Sequence, residues 1–475
     1  MLGKTLRVFF LMSAVLWITA CAVGPDYRRP VTNAPDAFRF APADADGTSD
    51  AKWWEQFSDP VLEELIRTAL ANNKDLRIAS TRVEAFAARL FGSRSGYFPQ
   101  VDYAAAASRA SGALLAVPTP AGKEFDALLN ARWELDLWGR LRRENEAARA
   151  ELLATAHARR GVILTVVASV AQSYITLRVL DRQLEIAQRT LSGRAEAMKL
   201  VEQRRQTGYA SDIEIAQVRF LYENAASEIP QLESAVARYE NALSILLGRN
   251  PGAVSRGLSL EHLDAPQVLT GVPSELLERR PDIVQAEQSL VAANAQLGVA
   301  RAQYFPSISL TGLLGSSSAQ LEDLFTSPAR TWSYAAQLTG PLFNGGRVRA
   351  LNRVAKAQRQ EAVLQYEQTI QNAFREVEDA LIGTQKTRER AVSLAREEQA
   401  AADYARLAQE SYTQGYSGYF QVLDAQRSLF STQLLNAQAQ GDRLLSLIGL
   451  YKVMGGGWID EADAISQRHS DTSTK

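Results

Sequence analysis

Two periodicities alternate along this chain. From Gly139 to about Thr207 there is no proline, and Ile163, Val170, Leu177, Leu184, Leu191 and Met198 recur every seven residues with Val167 and Tyr174 between them. A seven-residue apolar repeat holds one face of a helix against a neighbour, so the spacing predicts one long helix in coiled-coil contact. At 1.5 Å per residue it would be roughly 100 Å long. The next segment carries Val218, Leu221, Ala225, Ile229, Leu232, Val236, Tyr239, Leu243 and Leu246 at steps of three and four, the pattern of a returning helix. Pro230 is expected to bend or loosen it. The same plan is predicted downstream, with a helix over about 347–413, a turn at Gly415-Tyr416-Ser417-Gly418 and a helix over about 419–453.

Between the helices the period drops to two. Phe125, Ala127, Leu129, Ala131, Trp133, Leu135 and Leu137 alternate with Asp126, Leu128, Asn130, Arg132, Glu134 and Asp136. Trp332, Tyr334, Ala336 and Leu338 alternate with Ser333, Ala335, Gln337 and Thr339. Shorter alternating runs start at Val101 and at Ser307, each just after a Tyr-Phe-Pro triplet whose proline stops the preceding helix. Alternation over about ten residues, apolar on one face and polar on the other, is how a transmembrane β-barrel strand reads. Two hairpins are expected, with loops at about 109–123 and 315–330. Four strands cannot close a barrel alone, and lipid tolerates no open edge, so several chains must combine. Trp133, Trp138 and Trp332 fit aromatic belts near the barrel rims.

The two plans are copies of one unit. Tyr97-Phe98-Pro99 recurs as Tyr304-Phe305-Pro306, an offset of 207 residues (304 minus 97), and the same offset relates Gly139-Arg140 to Gly346-Arg347, Gly208-Tyr209 to Gly415-Tyr416, Asp75 to Asp282 and Gly248 to Gly455. A period this long is no solenoid. The expected organisation is a signal peptide at 1–20, an N-terminal lipidated and equatorial segment at 21–74, repeat 1 at 75–250, an equatorial connector at 251–281, repeat 2 at 282–457 and a C-terminal tail at 458–475.

Composition narrows the chemistry. The 475 residues hold 52 basic and 53 acidic side chains, a balance unlike that of a nucleic-acid binder. Three scattered histidines and one cysteine make no metal, redox or disulfide framework. No nucleophile–base pair stands out, so no catalytic residue and no metal site is expected. No charge-free apolar run reaches the length of a membrane-spanning helix. The N-terminus instead reads as an address, with Lys4 and Arg7 ahead of an apolar stretch from Val8 to Trp17. Ile18-Thr19-Ala20-Cys21 then resembles a bacterial lipobox, so the cofactor expectation is none beyond a covalent lipid on Cys21. Ala22 after the cysteine points to the outer membrane.

The lipobox with Cys21-Ala-Val-Gly-Pro-Asp-Tyr-Arg-Arg-Pro, the paired Tyr-Phe-Pro corners, Arg279-Arg280-Pro281-Asp282-Ile283 and Tyr419-Phe420-Gln421-Val422-Leu423-Asp424-Ala425-Gln426-Arg427 resemble the TolC-like outer-membrane factors, in the lipoprotein branch serving RND-type multidrug efflux. The resemblance implies a mixed, mainly α fold. In it, a homotrimer forms a twelve-stranded transmembrane β-barrel, four strands per chain, continued by a twelve-helix periplasmic α-barrel. It implies a passive exit duct for small molecules, with a periplasmic adaptor (membrane fusion protein) and an inner-membrane RND-type transporter as partners, outer-membrane lipid around it and no nucleic acid. A duct for type I protein secretion and a structural coiled-coil lipoprotein are the alternatives.

The same resemblance places the working residues. Gly208, Tyr209, Gly415 and Tyr416 fall at the helix-turn tips that would contact the adaptor. Asp424 matches a carboxylate ring at the periplasmic constriction, Phe420 an apolar ring, Tyr412 a tyrosine that holds the tips shut, and Glu214 an acidic partner position. Carboxylates brought round an axis repel one another and favour cations. Ser417 and Gln421 stand where the best-known member carries a gate arginine and a second ring aspartate, which removes that form of salt-bridge lock. A lock of Tyr412, Glu214 and Asp424 with a neighbouring arginine is the remaining expectation.

Overall fold

Strand pairing and helix packing divide the chain into two units, residues 1–32, 82–156 and 285–368 forming one and residues 33–81, 157–284 and 369–475 the other. The computed structural model describes residues 22–32, 34–41, 52–114, 117–266, 273–455 and 458–473; the expected signal peptide and Cys21 lie outside them. The helices are α1 (Pro60–Asn72), α2 (Lys74–Ser95), α3 (Arg140–Gln206), α4 (Asp212–Leu246), α5 (Leu276–Arg279), α6 (Pro281–Ala302), α7 (Arg347–Thr413), α8 (Tyr419–Met454) and α9 (Ile459–Ser473). The strands are β1 (Gln100–Leu114), β2 (Val117–Leu135), β3 (Ser307–Ser318) and β4 (Arg330–Thr339).

The first unit is built on one antiparallel sheet in the order β1-β2-β3-β4. Its register explains the alternation. Directly paired residues share a face, so Tyr103, Leu129, Leu314 and Trp332 form one row across all four strands. Val101, Ala131, Gly312 and Tyr334 form the next row on that face, and Trp332 stacks on Tyr334 with ring centroids 5.8 Å apart. The opposite face carries Asp102, Asn130, Leu313 and Ser333 in one row and Gln100, Arg132, Thr311 and Ala335 in another. The apolar face is bare: Tyr103 is 86% and Tyr334 81% exposed. At the base of the sheet the Trp133 Nε1 donates to the Tyr97 carbonyl at 2.9 Å. Trp138, just past the end of β2, stacks on Phe305 at 4.8 Å and donates to the Pro306 carbonyl at 2.6 Å.

The first loop differs from expectation. Strand pairing continues from Arg109↔Lys123 to Leu114↔Val117, with a shift between Ala110 and Gly112, so most of 109–123 is strand. Small residues there conform to a ladder, and Pro118 lies where β2 is paired only with β1, because β2 meets β3 only from Phe125 onward.

The second unit buries a core in which Ile163, Val167, Val170, Tyr174 and Leu177 of α3 are all fully enclosed. Beyond residue 180 the buried positions are Ile186, Ala187, Arg194 and Val201, while Leu184, Leu191 and Met198 of the expected seam are half-buried. A straight helix at 3.6 residues per turn drifts from a seven-residue repeat, and the seam drifts with it. An 18-residue stretch of α3 is apolar enough to cross a membrane by composition, yet about two thirds of it is buried in protein. Helix α4 continues through Pro230, so the proline does not end it. The segment expected as a tail is helix α9, which packs on α1, with Trp458, Ile459 and Ala462 in the core. Trp458 meets Trp53 and Trp54 edge-on at 6.2 and 5.2 Å.

One buried carboxylate ties this core together. Asp59 caps α1, accepting from the Val61 amide at 2.9 Å, and also accepts from the Tyr174 hydroxyl at 2.6 Å and the Leu258 amide at 3.0 Å. A Cβ on Gly257 would lie 2.0 Å from its Oδ1. Removing a charged acceptor that serves several buried donors costs about 2–4 kcal/mol. Asp59→Ala and Gly257→Ala should each lower the thermal midpoint of the detergent-solubilised protein by several degrees, read by circular dichroism. An unchanged midpoint in both would remove Asp59 from the core's supports.

Candidate functional site

Two helix turns in the second unit carry most of the expected site. At the first, α3 ends with the Gly208 amide bonded to the Arg205 carbonyl at 3.0 Å and the Tyr209 amide to the Arg204 carbonyl at 2.8 Å. At the second, the Gly415 amide bonds to the Tyr412 carbonyl at 3.0 Å and the Tyr416 amide to the Ser411 carbonyl at 2.9 Å. Both closures need left-handed backbone, and Gly208 and Gly415 supply it at φ of 78° and 82°. The tyrosines that follow point away from their own chain, Tyr209 at 84% and Tyr416 at 83% exposure.

The helices restart differently. Ser211 caps α4 in a reciprocal box: the Glu214 amide donates to its Oγ at 3.2 Å, and the Ser211 amide donates to Glu214 Oε2 at 2.7 Å. That capping box is a signal the sequence reading missed, although Ser211 and Glu214 have its spacing. Glu214 therefore holds its own helix start. The corresponding start of α8 at Gly418 has no side-chain cap, and its first turn has no acidic residue. Ser417 Oγ is buried there without a hydrogen-bond partner among the described residues.

The remaining residues form two clusters. Arg204 donates to the Tyr412 hydroxyl and its guanidinium lies 5.6 Å from the Tyr412 ring centre. Tyr412 in turn lies 5.0 Å from the Tyr419 ring, linking α3, α7 and α8. In the second cluster Asp424 accepts from Arg427 at 2.7 Å and from the Tyr404 hydroxyl at 3.4 Å. Phe420, one turn before Asp424, is exposed and lines a groove of about 380 Å³ with Ile213, Phe220 and Leu423. The arginine beside Tyr412 is Arg204 and the arginine beside Asp424 is Arg427, while Glu214 is engaged in its own capping box. Higher in the bundle Arg194 is buried against Phe430, 4.8 Å from its ring, and burial pushes its guanidinium down to about 10.

The residues just after Cys21 form a strap in the first unit. The Val23 amide donates to the Trp138 carbonyl at 2.9 Å, and Asn294 donates to the Pro25 carbonyl at 2.8 Å. Arg143 donates to Asp26 at 2.8 Å. Arg29 donates to Glu287 from Nε at 2.7 Å and Nη2 at 2.5 Å, and the Tyr27 hydroxyl donates to the same carboxylate at 3.0 Å. A Cβ on Gly139 would meet Ala22 at 2.7 Å, so the strap lies tight against the junction between β2 and α3. Burial works to raise the Glu287 carboxyl, but the bonds from Arg29 and Tyr27 outweigh it and hold the group below its ordinary value.

Comparison with known proteins covers most of the chain. The profile of the family described as outer membrane efflux protein matches twice, at residues 65–249 and 272–456, the second match displaced by 207 residues (272 minus 65). The chain is 35% identical over 450 residues to the cation efflux system protein CusC of Escherichia coli O6:H1, covering 93% of this chain and 97% of that protein. It is 36% identical over 472 residues to the probable efflux pump outer membrane protein TtgC of Pseudomonas putida, covering 96% of each. The crystal structure of the Campylobacter jejuni CmeC outer membrane channel superposes with a TM-score of 0.87 at 25% identity, over 96% of this chain and 100% of that one.

The strap has a defined pH response. A carboxyl with a lowered folded pKa contributes in full above its ordinary value, about 4.3, and loses that contribution as pH falls through the folded value. A nitroxide on Val31→Cys should be more restricted at neutral pH than in acid. With Glu287→Gln added, the same label should be mobile throughout. A spectrum indifferent to both changes would show that Glu287 does not hold the strap.

Proposed function

The chain belongs to the outer membrane efflux protein family, and from that membership we propose a passive homotrimeric duct, gated at its helix turns and fed by an inner-membrane pump through a periplasmic adaptor. It is an outer-membrane efflux channel. The observation that carries the proposal is the sheet. It has one apolar face and one polar face, both bare, and β1 and β4 are edge strands. An apolar outer band and a water-facing lining are what a barrel strand needs, and closure with further copies removes the edges. Three copies give twelve strands, an even number within the range of such barrels.

The gate reading rests on the two clusters at the turns. Arg204, Tyr412 and Tyr419 link the end of α3 to α7 and α8, and breaking that link frees the turns to part. Asp424 and the exposed Phe420 lie within one helical turn of each other, so three copies would set a ring of carboxylates beside a ring of phenyls. Such a ring passes cations more readily than anions. Tyr209 and Tyr416 offer aromatic surface to the adaptor. Cys21 carries the lipid, and the strap after it fixes where that lipid starts. The transported class is small molecules, such as drugs and toxic compounds, exported without chemistry in the duct.

Two measurements test this reading. In planar bilayers Arg204→Ala combined with Tyr412→Phe should raise single-channel conductance several-fold, while Asp424→Ala should lower the cation-to-anion permeability ratio. Traces unchanged in both would take the gate away from these residues. The purified chain should run as three copies in detergent, and a monomer with no pore would overturn the duct itself.

A further inference from the structure

The internal repeat extends to the sheet, and from it we infer which backbone positions of one copy pair with which positions of the next. This rests on the reading of the chain as a closed barrel of several copies. The pair Gln100↔Arg132 of the first hairpin and the pair Ser307↔Thr339 of the second are the same pair moved 207 residues along (307 minus 100, 339 minus 132). The repeat therefore preserves strand register as well as sequence. Between the hairpins, β2 and β3 make a seam inside the chain, with Leu135↔Ile308, Ala131↔Gly312 and Leu129↔Leu314.

That inner seam joins the last strand of one repeat to the first strand of the other. Closing the barrel requires a second seam of the same kind, from β4 of one copy to β1 of the next. Moving the β2 positions forward and the β3 positions back by the repeat length gives its register. Leu338 pairs with the partner copy's position 105, an alanine in this sequence, and Ala336 pairs with position 107, also an alanine. Thr339 to Tyr334 of β4 thus run against Ala104 to Arg109 of β1.

Three features of the chain agree with this register. Leu338 and Ala336 lie on the apolar face, as do Ala105 and Ala107, so the faces remain continuous across the seam; a slip of one residue would turn the apolar set inward. The whole of β4, Arg330–Thr339, finds partners within β1, Gln100–Leu114. Leu342 is fully exposed and Val101 is 64% exposed, and the register sets them opposite each other as Leu135 is opposite Ile308 in the inner seam. The correspondence stops at the base, where Trp138 of the inner seam has Gly345 as its counterpart. The seam between copies therefore lacks the Trp138–Phe305 stack; the counterpart of Phe305 is Phe98, 65% exposed, and Phe343, two residues before Gly345, is 93% exposed.

Paired cysteines read the register directly. Within one chain β1 and β4 are separated by two strands, roughly 14 Å at about 4.8 Å per strand, too far for a disulfide. Ala107→Cys combined with Ala336→Cys should therefore convert most of the chain in oxidised outer membranes to covalent multimers ending at three copies. Ala105→Cys with Ala336→Cys, slipped by two residues on the same face, should give only a trace, and each single variant controls for Cys21. Efficient linking by the slipped pair would overturn the register and leave the closed barrel standing. No linking by either pair, in a protein that light scattering in detergent shows to be several copies, would overturn the β4–β1 seam. No linking in a protein that is a single copy would overturn the barrel reading as well.

Discussion

A backbone amide or carbonyl that faces hydrocarbon without a partner costs several kcal/mol, and this chain has two strands placed to meet that cost. Its four-stranded sheet satisfies lipid on one face with Tyr103, Leu129, Leu314 and Trp332, and water on the other with Asp102, Asn130, Gln100 and Arg132. Neither face helps the edges. Over the ten residues of β4 the outward groups alone amount to tens of kcal/mol, far beyond any single side-chain contact in the protein. Insertion and assembly are therefore one event for this sheet. That constraint explains why the apolar face is bare in a single chain and why no helix among the described residues covers it.

The helical unit meets a different constraint, burial in water, and the chain ends serve it. The family profile begins at residue 65 and ends at residue 456, so Trp53, Trp54 and Trp458 lie outside both repeats. They nevertheless meet in one core with Ile163, Val170 and Leu177 of the first repeat and Ile448 of the second. Two copies of a repeat leave apolar helix faces at their open ends, and the non-repeated segments cover them. Asp59 fastens one such segment by bonding at once to Tyr174 of the repeat and Leu258 of the connector.

The sequence made the fold legible wherever one residue pattern served one purpose. Alternation marked the strands because lipid and water impose opposite demands on successive residues, and the glycine turns marked the helix ends because only left-handed backbone closes them. The reading failed where a pattern served two purposes or depended on partners far away in sequence. Residues 109–123 look like a loop by their small side chains and prolines, yet pairing with β1 alone tolerates Pro118. The heptad seam in α3 is regular in sequence and drifts in space. Asp424 and Tyr412 were visible, but their pairing with arginines was not: Arg204 lies 208 residues before Tyr412, and the three-residue step from Asp424 to Arg427 does not by itself say that the two side chains meet.

The two helix turns at Gly208 and Gly415 are copies of each other that differ in how firmly the next helices begin. Positions 211 and 214 hold serine and glutamate, and their counterparts 207 residues on are Gly418 and Gln421. Glycine in place of serine at a cap costs only a few tenths of a kcal/mol, but the second half of the box is lost with the glutamate, as is its charge beside the helix dipole. Together these leave the start of α8 weaker than that of α4 by about 1 kcal/mol. Tyr419, the first residue of α8, is the one that Tyr412 touches, and Tyr412 is in turn held by Arg204 from α3. The helix with the weaker cap is thus the one secured by contacts from its neighbours. Such contacts can be released without unfolding a cap, whereas α4 carries its own.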